Sequence, residues 1–154
     1  MSQFEIDISD RQSIISVEPH RLREVIERVL VEEGISAADI SLAFVDDSAI
    51  QQINRDFLGH DYPTDVISFV LGDSEESARR CHLEGELVVS TETAHREAAA
   101  HGWSEADELV LYVVHGLLHL CGYDDLTDDA RPVMRRRERQ VLAYWRLVPT
   151  GLEA

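Results

Sequence analysis

The fold is decided by residues 115–125, which read HGLLHLCGYDD. His115 and His119 are four residues apart, so on a helix their side chains lie one above the other on the same face. The residues that precede and separate them are almost all apolar, which predicts a helix that is buried on every side. Gly122 then supplies the left-handed residue that commonly ends a helix. We expect the turn that follows to bring Asp125 back toward the two histidines.

This grouping predicts a metal site. Two buried imidazoles are costly unless each has a strong partner. Two imidazole nitrogens and one carboxylate, with a fourth position left for an exchangeable ligand, are typical of a catalytic zinc site. The spacing is that of the metzincin proteases, whose motif has a glutamate directly after the first histidine as general base. Gly116 occupies that position and can carry no proton. The pattern therefore favours a metal-dependent hydrolase and disfavours a peptidase, which remains an alternative.

The composition indicates the class of protein. A chain of 154 residues is expected to form one domain, residues 1–154, and its 44% hydrophobic and 29% charged residues are those of an ordinary soluble protein. No apolar run is long enough to span a bilayer, and the first residues lack the basic start and apolar core of a signal peptide. Cys81 and Cys121 do not make a disulfide framework. We therefore expect a cytoplasmic protein with no disulfide partner and no membrane partner.

The formal net charge of −16 argues against a nucleic-acid partner, because proteins that grip phosphates usually carry a basic excess or a basic patch. All fourteen basic residues are arginines, however, and six of them fall within residues 131–146. A strongly acidic chain can therefore still carry a local cationic face on its last helix. The alternative, which is the commoner situation, is an arginine-rich helix that simply faces solvent.

The hydrophobic pattern predicts an α+β (α/β) fold. We expect a single compact domain in which a roughly four-stranded mixed sheet packs with about five helices, the histidine helix being buried at the centre. Ser104, with Asp107 three residues later, is expected to cap that helix. Residues 72–84 are polar and charged and are predicted to form a mobile loop. The predicted strands are residues 4–8, 40–45, 65–71 and 86–90, and the other predicted helices are residues 19–34, 48–57, 91–101 and 128–147, the last burying Val133 or Met134.

Three blocks of the sequence resemble the YbeY family of endoribonucleases. The first is residues 115–125, which follow the family signature HGxLHLxGYDH up to its last position. The second consists of Asn54, Phe57 and the PTDVISF of residues 63–69. The third is the GELVVS of residues 85–90. The order and spacing of the blocks agree with the family across nearly the whole chain.

The resemblance implies a metal-dependent hydrolase that cleaves single-stranded RNA. It further implies a part in the maturation of small-subunit (16S) ribosomal RNA and in ribosome quality control, with ribosomal RNA and the ribosome or its proteins as partners. His115, His119 and Asp125 would hold one zinc ion. The motif contains no obvious general base, so no catalytic residue is predicted beyond the metal centre. A ribosome-assembly factor with a structural metal remains an alternative.

Two positions depart from the family pattern. Asp125 stands where the family has a third histidine, and a carboxylate ligates zinc well but also suits other divalent transition metals. Leu58 stands where many members have an arginine, so another arginine is expected to contact phosphate. Asp124 is predicted to orient a ligating histidine through its second ring nitrogen. The candidates for the phosphate contact are Arg55, Arg135 and Arg139.

Two further residues have more than one interpretation. Asp65 follows a proline and a threonine at the start of a strand, so its side chain can bond nearby backbone amides as part of a turn, or it can position substrate. Arg137 lies nearer the apolar stripe of the last helix than Arg135 and Arg139 do. This position predicts a packing or ion-pair role for Arg137.

Overall fold

The structure, a computed structural model, describes residues 3–71 and 82–149 of the chain. In these residues a strand and a helix alternate twice, and two strands and three helices follow. The predicted arrangement of four strands and five helices is confirmed for this part of the chain. The strands are β1 (Gln3–Asp10), β2 (Ala37–Val45), β3 (Val66–Leu71) and β4 (His82–Ser90), and the helices are α1 (Pro19–Glu32), α2 (Asp47–Leu58), α3 (Thr91–Glu97), α4 (Glu105–Leu120) and α5 (Ala130–Tyr144).

The four strands form one mixed sheet in the order β1-β2-β4-β3. β1 pairs in parallel with β2, and β2 pairs in parallel with β4, whereas β3 runs antiparallel to β4 at one edge. A parallel pair needs a crossover connection, and α1 supplies the one between β1 and β2. Ile6, Ile40 and Gly85 lie side by side across three strands in this register, on the face that α4 covers.

Helix α4 is the centre of the hydrophobic core, as the sequence predicted. It contacts β3, β4, α1, α3 and α5. The apolar residues 109–114 are buried without exception, and so are Leu117, Leu118 and Leu120. Each large apolar side chain buried in this way contributes roughly 1.5–3 kcal/mol to the free energy of unfolding. The helix that carries the two histidines is therefore held in place by the core itself.

The opposite face of the sheet is covered by a smaller hydrophobic cluster. Val45, Ile50, Ile67 and Val88 form a separate buried cluster there. Ile50 comes from α2 and the other three come from the strands, so α2 is fixed to the face of the sheet that α4 does not occupy. This placement matters for the site, because the loop that follows α2 leads directly into β3.

Some boundaries differ from the sequence predictions. β4 begins at His82 and not at residue 86, because residues 82–85 pair in register with the start of β2. Helix α3 ends at Glu97 and not at residue 101, because the following backbone forms turns that close at Gly102, whose φ is 71°. On α5 the buried residue is Met134, while Val133 is 51% exposed.

Other sequence predictions can be compared with the described residues. Ser104 Oγ accepts a hydrogen bond from the N–H of Asp107 at 3.1 Å, which confirms the cap of α4. The loop predicted for residues 72–84 lies largely outside the described residues, and the described residues 82–84 are strand. Cys121 is a free thiol, and Cys81 lies outside the described residues. Within the described ranges, no helix combines the length and apolar character needed to cross a membrane.

Candidate metal centre

The end of α4 turns the chain back on itself. Gly122 has a φ of 104°, in the left-handed region that glycine adopts without a steric penalty. Its N–H donates to the carbonyl oxygen of His119 at 3.0 Å, and the N–H of Tyr123 donates to the carbonyl oxygen of Leu118 at 3.0 Å. This pair of bonds is the Schellman arrangement that closes a helix C-terminus. It brings Asp125 back to the last two turns of α4, next to both histidines.

Three donor groups meet beside this turn. The Nε2 atoms of His115 and His119 lie 3.2 Å apart, and each lies 3.5 Å from one carboxylate oxygen of Asp125. Around a tetrahedral ion with bonds of roughly 2.0–2.1 Å, neighbouring ligand atoms are about 3.3 Å apart. Each of these three contacts is therefore close to the spacing that a zinc-sized ion requires, and the two histidines face different oxygens of Asp125. Their chemistry, two imidazoles and one carboxylate, suits zinc and also manganese or nickel.

The second nitrogen of each imidazole has its own acceptor. His115 Nδ1 hydrogen-bonds Oε1 of Glu138 on α5, and His119 Nδ1 lies 3.1 Å from the carbonyl oxygen of Tyr123. A carboxylate and a carbonyl oxygen can only accept. Both contacts therefore favour the tautomer with its proton on Nδ1, which leaves Nε2 free to donate its lone pair.

Glu138 is a buried carboxylate with two cationic or proton-donating neighbours. It is 2% exposed, and Arg135 Nη1 donates to its Oε2 at 3.0 Å. Burial alone would lower the pKa of His115, but the hydrogen bond and the negative charge of Glu138 outweigh burial, with smaller contributions from Asp65 and Asp125, so the pKa of His115 is raised. Protons and metal ions compete for His115, so binding of a metal there weakens as the pH falls through this raised pKa.

Asp124 does not orient either histidine, and the sequence prediction for it is wrong on this point. Its Oδ1 accepts a hydrogen bond from the N–H of Leu126 at 2.9 Å and so closes the turn after α4. Nδ1 of His115 is bonded to Glu138, and Nδ1 of His119 is bonded to the carbonyl oxygen of Tyr123. The hydrogen bond of Asp124 therefore runs forward along the chain to Leu126 and not back to α4.

Glu138 is the residue that the sequence reasoning missed, although a signal was present. It lies at helical spacing from Met134, Val141 and Leu142, which are all buried. A glutamate on the apolar stripe of a helix is almost never buried unless it is paired. Its position therefore indicated a partner in the core, and the structure identifies that partner as His115.

Gly116 explains why the metzincin glutamate is absent. Helix α4 packs so closely on the sheet that a Cβ atom at position 116 would lie 2.7 Å from Leu87 Cδ2 and 3.1 Å from Val66 Cγ2. Ser68 Oγ also donates to the carbonyl oxygen of Gly116 at 3.1 Å. A glutamate side chain has no room at this position, so α4 cannot supply the general base that a metzincin peptidase uses.

We expect Gly116→Ala to lower the free energy of unfolding by about 1–2 kcal/mol. A Cβ contact of 2.7 Å places the overpacking cost in the upper part of its usual range, at about 2–3 kcal/mol, and the better helix propensity of alanine offsets about 1 kcal/mol of this. Urea denaturation of the variant beside wild type measures the difference. An unfolding midpoint equal to or above that of wild type would mean that α4 can move away from β3 and β4 at no cost.

The three donors form part of the wall of an open cleft of about 610 Å³, called here the metal groove. His115, His119 and Asp125 are 18%, 28% and 33% exposed, so the donors face the groove. A second cleft of about 370 Å³ shares Thr64, Asp65 and His115 with the metal groove and extends to Arg135. The side chains on the rim of the metal groove are Leu58, Tyr62, Val70 and Leu126.

Asp65 lies where the two clefts meet. Its Oδ1 accepts hydrogen bonds from the N–H of Val66 at 2.7 Å and from Thr64 Oγ1 at 3.3 Å, which confirms the predicted turn bonding. The same side chain lines both clefts, and its charge contributes to the raised pKa of His115. The turn and a role in positioning substrate are therefore compatible, and the second stays a prediction.

The arginines predicted to contact phosphate include two with acidic neighbours. Arg55 is exposed and its Nε lies 3.4 Å from Asp56, while Arg135 donates to the buried glutamate of α5. Arg137 Nε donates to Glu33 at 2.7 Å, which confirms the predicted ion-pair role. Contact between RNA and Arg55, Arg135 or Arg139 stays a prediction.

Comparison with known proteins finds relatives over most of the chain. A family model described as Endoribonuclease YbeY matches residues 7–146. The Endoribonuclease YbeY of Desulforamulus reducens is 39% identical over 142 residues, covering 88% of this chain and 93% of the relative. The Endoribonuclease YbeY of Halalkalibacterium halodurans is 35% identical over 154 residues, covering 94% of this chain and 97% of the relative.

A solved structure has a similar fold. The solution structure of TM1509 from Thermotoga maritima matches with a TM-score of 0.62 at 26% sequence identity. The match covers 94% of this chain and 92% of that protein. The similarity therefore extends over the sheet and the helices together, and not over one motif alone.

Proposed function

The chain belongs to the YbeY endoribonuclease family, and from this premise we propose that it is a metal-dependent endoribonuclease that cleaves single-stranded RNA. Its proposed role is the maturation of small-subunit (16S) ribosomal RNA and ribosome quality control in the cytoplasm, in contact with the ribosome or its proteins. The observation that carries the metal-dependent part is the convergence of His115, His119 and Asp125, whose donor atoms lie within 4.8 Å of one another on the wall of an open groove.

In this proposal His115, His119 and Asp125 hold the ion, with zinc as the first candidate. When bound there, the ion lowers the pKa of a water ligand or polarises a phosphoryl oxygen. Glu138 and the carbonyl oxygen of Tyr123 keep both imidazoles in the tautomer that presents Nε2 to the groove. We propose that Asp65 accepts the proton of the attacking water or 2′-hydroxyl group as the new phosphorus–oxygen bond forms and the bond to the leaving ribose oxygen breaks, that oxygen taking a proton from solvent, because the Asp65 carboxylate lines both clefts beside His115.

The net charge of −16 does not prevent a local contact with RNA. Repulsion between the carboxylates and a phosphate backbone is largely screened beyond about 10 Å at ordinary salt. Arg135 lines the second cleft beside His115, and Arg139 follows it by one helical turn. These two residues and Arg55 are the arginines that we propose for contact with phosphate outside the metal groove.

A ribosome-assembly factor with a structural metal is the second candidate, and the net charge favours it. Free RNA is repelled by an acidic protein, while a basic protein partner is attracted. The two functions differ in one respect that is easily measured, since only the enzyme cleaves RNA after the metal is loaded. A metallopeptidase is disfavoured, because position 116 has no room for the glutamate that such an enzyme needs.

We expect protein purified without a nickel column to contain one tightly bound transition-metal ion per chain, with zinc in the first instance. Elemental analysis gives the metal content, and cleavage of a single-stranded RNA is measured before chelation, after it, and after zinc is restored. His119→Ala is the matched variant and is expected to lose both the metal and the activity. A metal-free, folded and active preparation would contradict the metal site, whereas a zinc-loaded protein that cleaves no RNA would favour the assembly factor.

A further inference from the structure

We infer that the metal groove holds unpaired RNA bases against its apolar rim, and that base contacts rather than phosphate contacts hold the strand there. This inference rests on the proposed function, because a substrate that is cut at the metal must lie in the groove that contains the donors. The groove of about 610 Å³ is large enough for more than one planar base.

The rim of the metal groove is both apolar and exposed. Leu58 is 49% exposed, Tyr62 is 52% exposed and Val70 is 53% exposed, while Leu126 reaches 83%. All four residues line the cleft that contains the metal donors. Large apolar side chains that are exposed singly need no explanation, but a group of them around one cleft indicates a binding surface.

The charged side chains of the metal groove are acidic. Asp65, Asp124 and Asp125 line the groove together with the two histidines, and the described residues that line it include no arginine. A phosphate backbone laid along the groove would therefore meet three carboxylates and no cationic side chain among the described lining residues. The rest of a bound strand must present another surface, and the faces of unpaired bases are apolar enough to fit the rim.

Tyr62 is positioned as a platform for a base. It lies in the loop after α2, and Gly59, which caps the end of that helix, has a left-handed φ of 74°. Asn54 is 3% exposed and its Nδ2 donates to the carbonyl oxygen of Tyr62 at 3.0 Å. The ring centroids of His60 and Tyr62 are 5.4 Å apart. These contacts hold the loop, while about half of Tyr62 stays exposed and available for stacking.

This mode of binding selects single strands without reading their sequence. A base inside a duplex is stacked on both faces, so it cannot contact an apolar rim. Every base has an apolar face, so stacking on an aromatic side chain tolerates any sequence. The groove is therefore expected to discriminate between paired and unpaired RNA more strongly than among the four bases.

The test uses the zinc-loaded protein and a labelled single-stranded RNA, with binding measured by fluorescence anisotropy and cleavage measured separately. Tyr62→Ala is expected to raise both Kd and KM by at least about five-fold, because stacking on an aromatic ring is lost, and to leave the metal content unchanged. Tyr62→Phe keeps the ring and is expected to recover most of the loss. Tyr144→Ala is the matched control, since Tyr144 is 54% exposed but does not line the groove.

A salt series separates base contacts from phosphate contacts. For wild type, the logarithm of the affinity is expected to fall with the logarithm of the salt concentration by a slope no steeper than about −2, the value for the three arginines proposed outside the groove. Leu58→Arg adds one cation to the rim and is expected to steepen this slope by about 0.7, the value for one phosphate contact on a single strand. An oligonucleotide of abasic ribose phosphates, which keeps the charges but lacks the bases, is expected to bind weakly.

The possible outcomes distinguish this inference from the proposed function. A steep salt slope for wild type, together with an unchanged Kd for Tyr62→Ala, would overturn the inference and leave the apolar rim as a surface for a protein partner. Wild type that binds RNA through Tyr62 without cleaving it would support the inference and contradict the proposed function. Cleavage with equal KM in wild type and Tyr62→Ala would support the proposed function and overturn the inference.

Discussion

Replacing Asp125 with alanine is expected to lower the affinity for zinc by more than about 100-fold and to abolish RNA cleavage. The change removes one of three donors and leaves two imidazoles whose Nε2 atoms are 3.2 Å apart. Loss of a residue that only orients a ligand already costs about 10–100-fold in affinity, so loss of a ligand should exceed that range. Competition with a coloured chelator measures the affinity, and circular dichroism reports whether the fold is retained.

Two neighbouring variants make this prediction specific. Asp125→His supplies a third imidazole, which is a good donor to a borderline metal, so zinc should bind at least as tightly as in wild type. Asp124→Ala should leave the zinc affinity unchanged, because the Asp124 side chain is bonded to the N–H of Leu126. If Asp125→Ala retained full affinity while Asp124→Ala lost it, the third ligand would be Asp124.

Glu138→Ala is expected to reduce the zinc affinity by about 10–100-fold, although Glu138 is not one of the proposed metal ligands. The change removes the acceptor that fixes the tautomer of His115 and leaves the guanidinium of Arg135 without its buried carboxylate. The free energy of unfolding should also fall, by about 1–3 kcal/mol, because buried polar groups lose their partner. Zinc titration and urea denaturation of the same preparation measure the two effects.

The control variants separate orientation from simple loss of stability. Glu138→Gln keeps the volume and one acceptor oxygen, so it should lose less affinity than Glu138→Ala. Arg136→Ala lies on the exposed side of the same helix and should change neither quantity. If Glu138→Ala lost stability but kept wild-type zinc affinity, Glu138 would be a packing residue with no part in holding His115.

Site residues that lie close together in the sequence could be predicted, whereas those far apart in the sequence could not. His115, His119, Gly122 and Asp125 lie within one helical end, where local geometry determines which side chains meet, and the structure brings them together as the spacing predicted. Glu138 comes from another helix, and the packing of α5 on α4 depends on the whole core. The helical spacing of Glu138 from buried apolar residues was a sign of burial that went unused, and periodicity cannot name its partner.

In the fold, too, features set by local sequence could be predicted, and features set by tertiary packing could not. The strong apolar run of α4 and the alternation in β1 were sufficient to predict both elements, since burial and hydrophobic period agree there. The start of β4 was not predictable, because His82 and Glu84 are polar and enter the strand through pairing with β2. The role of Gly116 was also hidden, because its closeness to Leu87 and Val66 exists only after α4 docks on the sheet.

Glu138 and the carbonyl oxygen of Tyr123 accept hydrogen bonds from the two imidazoles, so a metal ion bound at this site would supply chemistry and would not be needed to hold the fold. In small zinc domains the ligands have little else to hold them, so a chelator unfolds the chain. Here the two imidazoles are anchored by acceptors of the protein on a helix embedded in the core. Removing the ion should therefore abolish the activity but leave the chain folded and able to bind the metal again. If the proposed metal dependence holds, the supply of free metal in the cell would then set the fraction of these molecules that is active.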